Sequence, residues 1–383
     1  MNQPPSPVDP DGLLEYSVVF TDRSLNHMSK RFQAVMRDIS AMLREVYHAA
    51  AVAVVPGGGT YAMESVARQF ATGRNCLIIR DGWFSYRWTQ ILDTGSIPAS
   101  TTVLKARRLS EQHQAPFAPP PIEEVVREIA DKRPDLVFAP HVETSAGIML
   151  PDSYIRAVGE AVKAVGGLFV LDCVASGAVW VDMADNHVDV LISAPQKGWS
   201  APPSSGLVML GARAATRLSE TSSTSFACDL KKWREIMTAY ETGGFAYHAT
   251  MPTDALATFR DAMAETKAAG FDTLAAAQID LGSRVRALLA ERGFKSVAAP
   301  GFEAPGVVVC YTDDVSIHNA SAFAALGIQI AAGVPLRCDE PEDFRTFRLG
   351  LFGLDKLYHP ERTVDRLRDV LDRLDGSAAA VAL

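Results

Sequence analysis

The chain has 383 residues, 48% of them hydrophobic and 21% charged, and carries a formal net charge of −8. That length exceeds the ~250–300 residues at which a single core stops growing, so two units, or one large unit with an appendage, are expected. The acidic balance excludes a general binder of nucleic acid or anionic membrane, and no apolar run approaches the ~20 residues of a membrane span.

The opening "MNQPPSPVDPDG" has no basic stretch followed by an apolar one, and reads as a flexible lead without a signal peptide. Residues 30–50, "KRFQAVMRDISAMLREVYHAA", carry apolar side chains at helical spacing and predict an amphipathic helix. Beyond them short aliphatic runs take over: "AVAVVP", "CLIIRD", "TTVLKA", "DLVFAPHV", "GLFVLDCV", "DVLISAP" and "GLVMLGA". Helical stretches such as "TYAMESVARQFAT", "IEEVVREIADKR" and "DSYIRAVGEAVKAVG" lie between most of them. Strands this evenly apolar belong to a sheet covered on both faces, so an α/β domain with a mostly parallel central sheet is expected. From Asp254 a long helical region leads to "GVVVCYT", "IQIAAGVP" and "FRLGLFG", which predict a smaller α+β domain. The expected division is a flexible lead and pocket-lining segment over 1–24, a large domain over 25–269 and a small C-terminal domain over 270–383. Cys76, Cys173, Cys228, Cys310 and Cys338 form no CxxC pair, which fits a reduced, cytoplasmic setting better than a disulfide framework.

In parallel sheets ligands bind beyond the carboxyl ends of the strands, so the loops there carry the chemistry. In "VVPGGGTYAMES" a strand gives way to three glycines and a helix, and amides opening a helix make an anion site. Gly57, Gly59 and Ala62, with Asp81 after the next strand, also match a dinucleotide fingerprint. An NAD-dependent oxidoreductase is therefore an open alternative. In "FVLDCVASGAVW" Asp172 ends a buried strand, where a carboxylate needs a basic side chain or a protonated ring nitrogen as partner. In "SAPQKGW" Lys197 has no acid beside it, and a desolvated lysine offers its free amine to a carbonyl. A phosphate, a ring nitrogen held protonated and an aldehyde together describe pyridoxal 5′-phosphate (PLP).

The segments "HVETSAGIMLP", "LFVLDCVASGAVWVD", "SAPQKGWSAPPSSGLVML", "YHATMP" and "FRLGLFG" resemble, in order and spacing, the class V aminotransferases of PLP fold type I. The resemblance is to the alanine–glyoxylate and serine–pyruvate aminotransferases among them, over roughly residues 25 to 370. The resemblance implies a PLP-dependent transferase fold, and transfer of an amino group from a small amino acid to an oxo acid of glyoxylate or pyruvate type. It also implies that Lys197 carries the cofactor as a Schiff base and that Asp172 pairs with its ring nitrogen. Val174 and Phe84 would cover the two ring faces, with Trp83 as rival to Phe84. Gly58, Gly59 and Thr60 would hold the phosphate with Gln196, and Thr144 would lie near the ring hydroxyl. Tyr247 and Thr250 would reach the phosphate of a neighbouring subunit, implying a homodimer with shared sites. Arg348 would grip the substrate carboxylate through its planar two-pronged donor set.

Other residues stay open. His141 is either a satisfied structural histidine or a catalytic one. The N-terminal stretch "LLEYSVVFTDRSLNHMSKRF" departs from the "GPGP"-like opening of relatives, leaving Tyr16, Arg23, Asn26 and His27 as candidates near the substrate side chain. A lyase or desulfurase of the same fold is the other alternative, and Cys228, in a loop read as mobile, would be its thiol.

Overall fold

Aliphatic runs that are apolar on both sides lose water on both sides only between two helical layers. The computed structural model, which describes residues 8–381, puts them there; residues 1–7 of the expected lead lie outside the described residues. Seven strands form the central sheet: β1 (Ala51–Pro56), β2 (Asn75–Arg80), β3 (Ser100–Lys105), β4 (Leu136–Pro140), β5 (Leu168–Asp172), β6 (Val190–Ser193) and β7 (Ser205–Leu210). Their order is β1-β7-β6-β5-β4-β2-β3. Every pairing is parallel except those of β7, which runs antiparallel to β1 and β6. All strands but β7 therefore end at one edge.

Helix α1 (Lys30–Tyr47) starts where the Ser29 side chain accepts the Phe32 N–H, and it buries Phe32, Val35, Met36, Ile39 and Leu43. α2 (Gly59–Phe70) and α3 (Trp83–Thr94) follow β1 and β2 after two residues each, so their N-termini open at the edge where those strands end. α4 (Ile122–Lys132) and α5 (Asp152–Val165) make the crossovers into β4 and β5. The sequence reading did not single out α3, because only Ser85, Trp88 and Leu92 on it are buried and its apolar stripe is thin.

A second, antiparallel sheet holds β8 (Val307–Tyr311), β9 (Ala331–Ala332) and β10 (Thr346–Gly350) in the order β8-β10-β9. The run "IQIAAGVP" yields only the two residues of β9, because the next amide, of Gly333, turns away to donate to the His318 carbonyl. The long helical region is two helices, Thr253–Ala269 and Phe271–Glu291, separated at Gly270, whose φ of 90° breaks the spiral. Leu274, Leu281, Val285 and Leu289 of the latter join Phe323, Phe347 and Leu371 in an apolar cluster separate from that of the large sheet.

The segment carrying Lys197 is anchored by Trp199, which is fully buried. Its ring lies 4.7 Å from that of Trp180 and within 6.4 Å of those of Tyr47, Phe259 and Phe271. Between Lys197 and Trp199, a Cβ on Gly198 would stand 2.0 Å from the Gly177 carbonyl oxygen. Gly198→Ala is therefore expected to lower the free energy of unfolding by about 1–3 kcal/mol through overpacking, read by chemical denaturation.

Candidate active site

The strand edge encloses a cavity of about 190 Å³. Gly59 and Thr60 of α2 and Phe84 and Arg87 of α3 wall one part of it. Val142 and Thr144 after β4, Asp172 and Val174 at the end of β5, and Gln196 and Lys197 after β6 complete it. Eight of the residues singled out in the sequence thus meet around one space. Gly58 is the N-cap of α2, adjacent in chain to Gly59, where an added Cβ would press to 2.7 Å from Val174 Cγ2. Of the two aromatic candidates, Phe84 faces the cavity, whereas Trp83 packs against the Tyr86 ring at 5.7 Å with Arg337 over it.

Burial sets the charge states. Lys197 Nζ has no hydrogen-bond or ion-pair partner among the described residues and lies 5.3 Å from the ring of Phe352. Loss of water, and then the positive Arg348, pull the Lys197 pKa below the usual lysine range. Asp172 is pushed up to about 6 by burial, partly offset by the Val174 N–H that its Oδ1 accepts at 2.9 Å. Arg348, on β10, donates from Nε to the Ala332 carbonyl at 2.8 Å, with its guanidinium carbon 5.6 Å from the Phe84 ring.

Arg87 lines the cavity and Glu143 supports the residues that do, although the sequence reading passed over both. The Arg87 guanidinium donates to Thr60 Oγ1 at 2.9 Å and lies 5.2 Å from the ring of Phe84, three residues earlier on the same helix face. Helical spacing from Phe84 was its only signal. Glu143 is wholly buried and accepts five hydrogen bonds: from the amides of Phe84, Ser85 and Ser145 and from the hydroxyls of Ser85 and Ser145. It caps α3, whose own N-cap, Gly82, has no side chain to do so. An acid within the apolar stretch after β4 could have flagged it.

Other candidates fall outside the cavity. His141 is buried with Nδ1 2.7 Å from Ser176 Oγ; burial pulls its pKa down to about 4, so it stays neutral near pH 7, a satisfied structural histidine. Asp81 is fully buried, pushed well above the carboxylate range by burial and by Glu143, and so reaches no ribose, against the dinucleotide reading. Cys228 is buried, its amide held by Ser225 Oγ, and is not the exposed mobile thiol that the loop suggested. Tyr247 and Thr250 are exposed and bond to each other at 3.2 Å, away from this chain's cavity. Tyr16 and Asn26 line a separate space of about 910 Å³ formed by residues 9–33, and neither they nor Arg23 and His27 border the Lys197 cavity.

Glu143→Ala would strand several buried donors, each costing about 1–3 kcal/mol. A drop of at least about 3 kcal/mol in unfolding free energy is expected by chemical denaturation, with Glu143→Gln recovering part of it.

No family model matches the chain. Alanine–glyoxylate aminotransferase 1 of Saccharomyces cerevisiae is 26% identical over 245 residues, 60% of this chain and 60% of that protein. The 2-aminoethylphosphonate–pyruvate transaminase 2 of Paraburkholderia xenovorans is 27% identical over 302 residues, 78% of this chain and 76% of that one. The crystal structure of an alanine–glyoxylate aminotransferase from Nostoc sp. superposes with a TM-score of 0.76 at 22% identity, covering 91% of this chain and 89% of the other. The chain thus has the fold of the PLP-dependent aminotransferases of fold type I, and in sequence it is similar to alanine–glyoxylate and 2-aminoethylphosphonate–pyruvate aminotransferases.

Proposed function

We propose that the protein is a PLP-dependent aminotransferase that moves the amino group of a small L-amino acid, of alanine or serine type, to an oxo acid of glyoxylate or pyruvate type. The observation that carries this reading is the meeting of an unpaired, desolvated Lys197 and a buried Asp172 in one cavity beside the opening of α2. The donor set fits the cofactor. Asp172 accepts only one backbone hydrogen bond and so retains capacity for a cationic ring nitrogen, the α2 amides suit a phosphate, and the Lys197 amine suits an aldehyde. When bound, PLP supplies an electron sink for the bond being broken at the substrate α-carbon.

The protein's own groups do the rest. Arg348, with its Nε engaged by Ala332, keeps both terminal nitrogens for the substrate carboxylate and so fixes which α-carbon bond faces the lysine. Lys197, once its amine is free and neutral, takes the α-proton at Nζ and returns it on the other side of the transfer; burial and Arg348 lower its pKa and so favour the neutral amine. Asp172, ionised, holds a positive partner on the ring. Phe84 and Val174 would cover the two ring faces and keep water away, and Gly58, Gly59, Thr60, Gln196 and Arg87 would receive the phosphate. Thr144, which lines the cavity, would lie near the ring hydroxyl.

We assign Tyr247 and Thr250 to the site of a second copy in a homodimer. Their exposure, and the exposed apolar Leu13, Tyr16 and Val18 of the N-terminal segment, support that reading. The reading also takes residues 25–269 and 270–383 as the large and small domains. Five unpaired cysteines support a cytoplasmic protein, and no helix among the described residues is long and apolar enough to cross a membrane.

Lys197→Ala is expected to abolish both the near-visible absorbance of bound cofactor and turnover; retained absorbance overturns the assignment. Arg348→Lys should raise the KM for the amino donor roughly tenfold to a hundredfold, through loss of charge-assisted bonding, while leaving cofactor absorbance intact. Asp172 has a raised pKa in the empty protein, so its ionised form is lost as pH falls through about 6. Cofactor affinity should weaken over that interval, and Asp172→Asn should flatten the dependence, measured by titrating PLP into stripped protein.

A further inference from the structure

Phe352 has no role in the reading above, yet it is the side chain whose ring lies over the Lys197 amine, 5.3 Å away. It stands four residues beyond Arg348, just past the end of β10. The backbones of Gly306, Gly177 and Gly350 border the ring and leave room for it: a Cβ on Gly306 would come within 3.1 Å of Phe352 Cε1, one on Gly177 within 3.5 Å of the same atom, and one on Gly350 within 3.6 Å of Cδ2. The ring also packs against the apolar cluster that contains Ala175, which lines the cavity. That packing holds the ring beside the amine.

Taking the aminotransferase reading as given, the substrate α-carbon must come within proton-transfer reach of Lys197 Nζ while its carboxylate is held by Arg348. Those two constraints bring whatever hangs from the α-carbon close to the surface that borders Nζ, and Phe352 is an aromatic part of that surface. We propose that Phe352 is a specificity-determining residue, a fixed aromatic wall that limits the size of the amino donor's side chain. It excludes by bulk, leaving the smallest side chains to be accepted, and it offers an apolar face rather than a hydrogen bond.

The test uses the holoenzyme, wild type and with Phe352→Leu and Phe352→Ala, and follows the spectral half-reaction with glycine, L-alanine, L-2-aminobutyrate and L-norvaline. Cofactor absorbance in each variant serves as the check that the site is assembled. The expected result is that wild type falls off steeply beyond alanine, and that Phe352→Ala improves the kcat/KM ratio of norvaline to alanine by roughly tenfold or more, with Phe352→Leu between. An unchanged ratio in variants that retain the cofactor band overturns the wall. If the wild type binds cofactor but converts no amino donor, the aminotransferase reading itself fails and takes this inference with it. If Phe352→Ala loses the band, the ratio in Phe352→Leu decides.

Discussion

Two loops lie side by side at the carboxyl edge of the sheet because Gly198 has no side chain to set against the Gly177 carbonyl. Gly177 and Gly198 bring the segment after β5 against the segment after β6, backbone to backbone, with no room for even a methyl group. Asp172 and Val174 reach the cavity from the first segment, and Gln196 and Lys197 from the second. The buried Trp199, locked among four other rings, holds the second segment down. Glycine contact and aromatic packing thus place carboxylate and amine around one cavity, and the electrostatics follow. The Lys197 amine is left without an acid partner among the described residues, and burial and Arg348 lower its pKa.

Much of this was readable in the sequence, for a physical reason. Strands covered on both faces must be apolar along their whole length, so β1, β2, β4 and β5 stood out as unbroken runs, and the loops after them held most of the residues that line the cavity. Asp172 and Lys197 are conspicuous because charge is expensive where they stand. Phe84 over Trp83 was a matter of helix phase at the start of α3, which only the cap geometry fixes.

What stayed hidden was of two kinds. Arg87 and Glu143 act through positions on other elements, and neither spacing nor composition reports that an acid after β4 will cap a helix after β2. The N-terminal candidates illustrate a different point. Tyr16, Arg23, Asn26 and His27 were read from the segment that replaces the "GPGP"-like opening of relatives, and within one chain residues 9–33 fold around a separate space. Likewise Asp81 sits where a fingerprint would place it in sequence, yet its carboxyl is sealed inside the protein. A motif specifies spacing along the chain, and burial decides whether its residues can touch a ligand.

The Glu143 carboxylate joins pieces of chain separated by about sixty residues: the first turn of α3, which carries Phe84, and the bend after β4, which carries Thr144. With five donors converging on two oxygens and no solvent to replace any of them, these pieces behave as a single mechanical part. Substitutions meant to tilt Phe84 alone will also move the bend that carries Thr144. A redesign of this cavity has fewer independent degrees of freedom than the number of residues around it suggests.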